Sequence, residues 1–286
     1  MMILRIMKSG GYDMLLQFSV TNHRSIKNTA VISMKAAADK SMKECLITPD
    51  GKKKIVPVMA IYGANAAGKS NVIHALLLMR EMVCGNYAKP LKGEELPYEP
   101  FAFVDEQIEP TALEVIYYYE GIKYAYGFSF NNERIISEYL YHWPNGREAL
   151  IFNREKDQYE FRESVQEQLT LAGRTSENRL YLTSSNEWNC VQTENAYLWF
   201  HKNLRGLVAT GISNEITIDA IRKGGEKKQC IVKEMMLADL GISDIELSGT
   251  KEKPIISTVH QIVNADGKRK QYTLLLGQES VGTQRF

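Results

Sequence analysis

The stretch Gly63-Ala64-Asn65-Ala66-Ala67-Gly68-Lys69-Ser70 constrains this chain more than any other, because it satisfies G-x-x-x-x-G-K-[ST]. The pattern works only as a loop leaving a strand and entering a helix. Its glycines let successive backbone N–H groups turn inward toward phosphate oxygens, where side chains would block them. A helix starting near Lys69 would add its positive N-terminal end. Lys69 is then placed to reach the β- and γ-phosphates, and the Ser70 hydroxyl to ligate Mg²⁺. The flanks agree. Upstream, Ile55 to Tyr62 is β-branched and nearly continuously apolar, as in a strand buried on both faces. Downstream, Asn71 to Arg80 reads as a strong helix. An accidental glycine turn before a helix is the competing reading, and both flanks speak against it.

Around this element the chain reads as α/β with α+β character. Residues 15–20 and 29–34 are expected strands, joined by a polar loop containing Arg24. Residues 84–100 are loop. From Phe101 to about Phe161 the apolar period drops to two, giving strands at Glu114–Tyr119, Lys123–Phe130, Arg134–Trp143, Ala149–Asn153 and Gln158–Phe161. Short hairpin turns between them make an antiparallel meander over 101–162. Residues 163–250 read as helical, with Trp188, Trp199 and Phe200 as packing anchors. Within them, Glu226 to Leu240 is an amphipathic helix capped by Gly241, burying Ile231, Val232, Met235, Met236 and Leu240. Residues 254–286 read as a hairpin followed by a helix start. Residues 1–13 are expected to be a disposable or non-native extension, since Met14 opens a better element.

Composition removes several classes. The 286 residues carry a formal net charge of +1, so no global field steers the chain to nucleic acid or an anionic membrane. A nucleic-acid ligand is left open rather than demanded. No apolar run nears the ~20 residues that cross a bilayer, so a cytoplasmic protein without a membrane partner is expected. Four widely spaced cysteines form neither a disulfide framework nor a zinc motif. The five histidines show no ligand spacing, and His74 reads as a packed residue. Tyr117, Tyr118, Tyr119, Tyr124 and Tyr126 could stack bases but read better as core. Lys52–Lys54 and Lys227–Lys228 read as solvated.

Two further motifs narrow the family. Val20-Thr21-Asn22-His23-Arg24-Ser25-Ile26 precedes the glycine loop, which itself continues as Lys69-Ser70-Asn71. Gln278-Glu279-Ser280-Val281-Gly282-Thr283-Gln284-Arg285-Phe286 closes the chain. Together these resemble the ABC-type ATPase heads of the SMC, RecF and OLD branch, with its "N-F-R-S-F" opening, G-x-N-G-x-G-K-S-N loop and E-S-x-G-T-x-R signature. His23 stands where an aromatic is usual. The meander resembles that of the small AAA-type, OLD-like ATPases of bacterial phage-defence loci.

The resemblance implies an incomplete ABC-type head spanning 14–286. ATP and Mg²⁺ would be held by Gly63, Asn65, Ala66, Ala67, Gly68, Lys69, Ser70 and Asn71, with Arg24 as a phosphate contact. Ser280, Gly282 and Thr283 would cap the ATP of a second copy in trans. ATP-driven pairing of two heads would gate a nuclease or toxin effector. A nucleotide-gated scaffold without turnover is the alternative; a small-molecule kinase would need an acceptor site, and the long antiparallel insertion and the terminal signature argue against it.

No Walker B strand follows the signature, so the catalytic residues stay unassigned. Phe101-Ala102-Phe103-Val104-Asp105-Glu106 fits the hhhhDE pattern, but lies upstream and reads as an edge strand with exposed acids. Purified 1–286 is therefore expected to bind ATP and hydrolyse little or none. Steady-state phosphate release that disappears in both Lys69→Ala and Glu106→Gln would instead assign Glu106 to catalysis.

Overall fold

The computed structural model describes residues 13–38, 43–49, 54–63, 68–102, 109–206, 215–237, 242–250, 253–263 and 267–279. The chain divides into two compact units, Met1–Arg205 and Gly206–Phe286. Its mixed α/β character and large antiparallel sheet are those expected of an ATPase-like head.

The first unit is built on a seven-stranded sheet whose strands are β1 (Met14–Thr21), β2 (Ala30–Ser33), β3 (Thr111–Tyr119), β4 (Ile122–Phe130), β5 (Ile135–Trp143), β6 (Ala149–Glu155) and β7 (Gln158–Phe161). Their order is β2-β1-β3-β4-β5-β6-β7, so β3 to β7 form an uninterrupted meander. The turn between β3 and β4 puts both Glu120 (φ 48°) and Gly121 (φ 77°) at positive φ, the twist that a two-residue hairpin favours. Alternation sets the buried face. The register aligns Phe18 with Val115, Val115 with Tyr126, Tyr126 with Leu140, Leu140 with Phe152 and Phe152 with Phe161, one apolar row across six strands. All five singled-out tyrosines are buried, and Tyr117 lies stacked between Tyr124 and Trp199 at ring-centroid distances of 5.5 and 4.0 Å. They are core residues.

Among the described residues, four α-helices belong to this unit: α1 (Lys69–Cys84), α2 (Val165–Ala172), α3 (Tyr181–Glu187) and α4 (Val191–Lys202). Helix α1 buries Ala75, Leu76, Met79, Met82 and Val83, a 3.6-residue stripe facing β1, β3, α3 and α4. Trp199 and Phe200 of α4 are fully buried against the tyrosines.

A charged pair interrupts the apolar face. Glu138 on β5 and Arg154 on β6 stand opposite each other and are almost wholly buried. The Glu138 carboxylate accepts from the Tyr126 hydroxyl at 2.9 Å and from the N–H groups of Tyr181 and Leu182 at 2.6 and 2.9 Å. Arg154 lies 3.5 Å from it and donates to the carbonyls of Lys156, Glu177 and Arg179. Burial raises the Glu138 pKa above the ordinary carboxylate value, while Arg154 and the two amides act to lower it. The carboxylate thus anchors the start of α3, and Thr183 in that helix donates to Val83 O at 2.7 Å near the end of α1.

The second unit comprises α5 (Glu215–Lys223), α6 (Gly225–Leu237) and a three-stranded antiparallel sheet, β10-β9-β8, formed by β8 (Ile242–Gly249), β9 (Pro254–Val263) and β10 (Arg269–Leu275). Its core is Ile221, Met235, Ile242, Ile245 and Ile256. Among the described residues, no helix is long and apolar enough to cross a membrane.

Several expectations need correction. Ile55 to Tyr62 is not a buried strand. Ile55 bridges to Lys35 and Ile47, and Val56 N donates to Met34 O, but Pro57 has no N–H to continue the ladder. Beyond it Val58 is 43% and Tyr62 77% exposed. Trp188 is also exposed, its ring under Arg174; the positive φ of Asn189 redirects the chain so that Cys190 faces the core instead. On α6, Met235 is buried but Met236 faces solvent, and residues 242–249 are strand rather than helix. Lys228 is paired with Asp244 at 2.9 Å. Asp13, assigned above to the extension, is buried and accepts from Glu120 N at 2.8 Å. The remainder of the extension, Leu240 and Gly241 lie outside the described residues.

Glu138→Gln keeps the shape of the side chain and leaves Arg154 buried without a counter-charge. Chemical denaturation should show a loss of about 3–5 kcal/mol. Replacing both residues by leucine should cost less than that single change.

Candidate functional site

The start of α1 is set by one glycine. Gly68 holds φ 83° and ψ 2°, and a Cβ there would stand 3.1 Å from Ser25 Oγ. A left-handed backbone with a neighbour that close suits glycine alone. Gly68 O accepts from Asn71 N at 2.9 Å and Val72 N at 3.2 Å, launching the helix. Gly68, at the N-cap, brings no side chain to this end, and no acidic residue occupies the first turn of the helix. The terminus therefore carries its partial positive charge with no acidic side chain of its own first turn against it, which is the chemistry of an anion site. Lys69 is half-buried, its Nζ donating to Gly63 O at 2.7 Å. Ser70 is exposed beside it. A cation bonded to Gly63 O, an exposed hydroxyl and a helix start with glycine at its N-cap form a set of groups that fits a triphosphate with Mg²⁺.

The β1–β2 connection packs against this helix start. His23 and Ile26 exchange backbone hydrogen bonds of 2.9 and 2.8 Å, closing a tight turn with Asn22 (φ 51°) and Arg24 (φ 52°) in the left-handed region. Such strain in non-glycine residues needs outside support. It comes from three directions. Asn22 accepts from Phe101 N at 2.9 Å through its side chain and from Thr111 Oγ1 at 2.6 Å through its carbonyl. Arg24 N donates to Glu99 O at 2.7 Å. Ser25 Oγ accepts from Asn71 Nδ2 at 2.7 Å, tying the turn to the first turn of α1.

Two contacts here have no precedent in residue spacing. Arg24 Nε pairs with one Glu99 carboxylate oxygen, and Nη2 reaches the other at 3.3 Å. That hydrogen bond holds the Glu99 pKa below its ordinary value. His23 and His74 lie with rings stacked at 5.4 Å and 12°, and His23 Nε2 is 3.2 Å from His74 Nδ1, one ring donating and the other accepting. Burial, the neighbouring His74 and Arg24 together lower His23 to about 4, against a weaker upward pull from Glu99. His74 is lowered for the same leading reason, burial. Arg24, His74 and Glu99 also line an open cavity of about 210 Å³ with Leu77, Leu78 and Glu81.

The structure thus brings Gly63, Gly68, Lys69, Ser70, Asn71 and Arg24 into one neighbourhood in the first unit. Ala64, Asn65, Ala66 and Ala67 lie outside the described residues, as do Asp105, Glu106, Ser280, Gly282 and Thr283. Glu279, which precedes that last trio, is held from β9 by Thr258 and by His260 Nε2 at 2.6 Å. Sequence reasoning passed over Glu99 and the His23–His74 pair. Glu99 is a single carboxylate in a loop rich in Gly, Pro and Glu, and the two histidines are far apart in the chain. Among the described residues, no group of three His, Cys, Asp or Glu side chains could hold a metal ion.

Comparison with known families gives a match over residues 58–285 to the one described as "AAA domain, putative AbiEii toxin, Type IV TA system". No curated protein matches the chain.

The histidine pair makes stability depend on pH. Because folded His23 binds its proton only near pH 4, against 6.5 ordinarily, the unfolded chain is protonated first as pH falls. The contribution of the neutral pair is complete above pH 6.5 and is lost as pH descends toward 4. Thermal melts of the wild type should fall across that window. His23→Gln, with one ring fewer to protonate, should fall less steeply.

Proposed function

This chain belongs to that AAA-domain family, which carries a nucleotide-binding, ATPase-type function, and from that premise we propose that it is the ATP-binding head of an OLD/SMC-like ABC ATPase. The observation that carries the reading is the meeting of Lys69, folded back onto Gly63 O, with the start of α1 at Gly68. Gly63 to Ser70 would wrap the triphosphate in backbone amides. Lys69 would exchange its carbonyl acceptor for β- and γ-phosphate oxygens, gaining a charge-assisted contact. Ser70 would present its hydroxyl to Mg²⁺, which when bound offsets phosphate charge. Arg24, held by the turn that Ser25 anchors to Asn71, would supply a further cation.

Two such heads would close around two ATPs, with Ser280, Gly282 and Thr283 of each facing the nucleotide of the other. Closure is a population shift: ATP favours the engaged pair by whatever binding free energy the trans contacts add, and loss of the γ-phosphate removes it. The engaged pair would gate an effector, a nuclease or toxin, in bacterial defence. The family description, which names a toxin of a type IV toxin–antitoxin system, supports an effector-linked role.

Calorimetric titration of Mg-ATP should show saturable binding that falls about tenfold or more in Lys69→Ala, since that change removes a charge-assisted hydrogen-bond donor. Light scattering should show ATP-dependent pairing that Ser280→Ala weakens while leaving monomer affinity intact. Binding without pairing would leave the nucleotide site and remove the dimer switch. Pairing without turnover would favour the scaffold.

A further inference from the structure

We propose that Glu99 is a positioning residue that latches Arg24, holding its guanidinium on a carboxylate until the triphosphate takes its place. The idea rests on the nucleotide reading above and adds to it a residue outside every motif. Two features of the turn make such an exchange feasible.

The first is that the backbone is pinned while the side chain is not. His23 and Ile26 close the turn, Arg24 N is bonded to Glu99 O, Asn22 is bonded to Phe101 N, and Ser25 Oγ is bonded to Asn71 at the first turn of α1. Arg24 can therefore change partner by rotating its side chain, with its Cα held beside the helix start. The second is the character of the pair. Arg24 meets both oxygens of Glu99, and the same guanidinium fork fits the oxygens of a phosphate equally well. Both side chains are partly in water, 34% exposed for Arg24 and 52% for Glu99. A pair this exposed is weak, so a ligand carrying several negative charges can displace the carboxylate.

His23 and His74 at this turn are bonded to each other, and Glu99 is the carboxylate bonded to the Arg24 guanidinium, so it sets the resting position of Arg24. In the resting state the Arg24 charge is neutralised. Release would add one positive charge to the rim of the phosphate loop only when an anion is there to receive it. The latch would then favour the fully charged nucleotide over weaker anions.

The test is a double-mutant cycle read by Mg-ATP titration of the full chain, with thermal melts as a check on folding. Glu99→Gln should tighten Mg-ATP binding about two- to fivefold, the size of change expected for freeing a partly exposed pair. Arg24→Ala should weaken binding, and Glu99→Gln should have no effect on affinity in the Arg24→Ala background. A merely structural clamp behaves oppositely, since its loss loosens the turn and weakens binding whether or not Arg24 is present. As a second measurement, the Arg24 Nε–H resonance of the wild type should shift on adding Mg-ATP, and in Glu99→Gln it should already be displaced without nucleotide. Lys69-dependent binding that Glu99→Gln leaves unchanged or weakens would overturn the latch alone. Absence of Mg-ATP binding from wild type and Glu99→Gln alike would overturn the nucleotide reading and the latch with it.

Discussion

The first unit depends on a carboxylate placed where a sheet face should be apolar. Glu138 sits between Phe128 and Arg154 in a cross-strand row and is shielded from water. A charge in that position is tolerable only with several donors around it. The donors come from separate parts of the chain: a tyrosine on β4, an arginine on β6 and the first amides of α3. Satisfying Glu138 therefore forces the meander and the helical layer into one arrangement. Helix α3 in turn holds the end of α1 through Thr183 and Val83. The helix that starts at Lys69 is thus positioned by a polar network lying at its far end.

The same economy appears at the near end of α1. The β1–β2 turn adopts a strained left-handed backbone at Asn22 and Arg24. It is held there by the segment around Glu99 and Phe101 and by Asn71. Strain of this kind persists where surrounding structure over-determines it, and it clusters at working sites. Here it sets Ser25 against Gly68 and Arg24 on Glu99, so the start of α1 and the turn before β2 form one structural unit. The histidine pair closes the arrangement from the side of α1. Its two rings are kept neutral by burial, which lets them share a hydrogen bond where two charges would repel.

Much of this was legible residue by residue. Period-two alternation located β3 to β7 within a few residues of their ends, because a sheet buried on one face must alternate. The stretch from Gly63 to Ser70 announced a loop entering a helix, since glycine, lysine and a hydroxyl at that spacing have few other uses. Tyr117 and Tyr126 were readable as core, their inward direction following from their place in the strand. Ile55 to Tyr62 was misread because apolarity reports a wish to be buried but not the presence of a partner, and Pro57 ends the short ladder that does form. Trp188 was misread because side-chain size says nothing of direction once Asn189 turns the chain.

By itself, then, the amino-acid order determined the fold class, the meander and the helix that starts at Lys69, all of which are written in local period and in fixed short spacings. The tertiary structure alone decided which distant charges meet: Glu138 with Arg154, Arg24 with Glu99, and His23 with His74. Those pairings depend on strand register and on how loops from different parts of the chain close over α1. No local pattern encodes such a meeting, because its cost and its gain appear only when burial removes water from both partners at once.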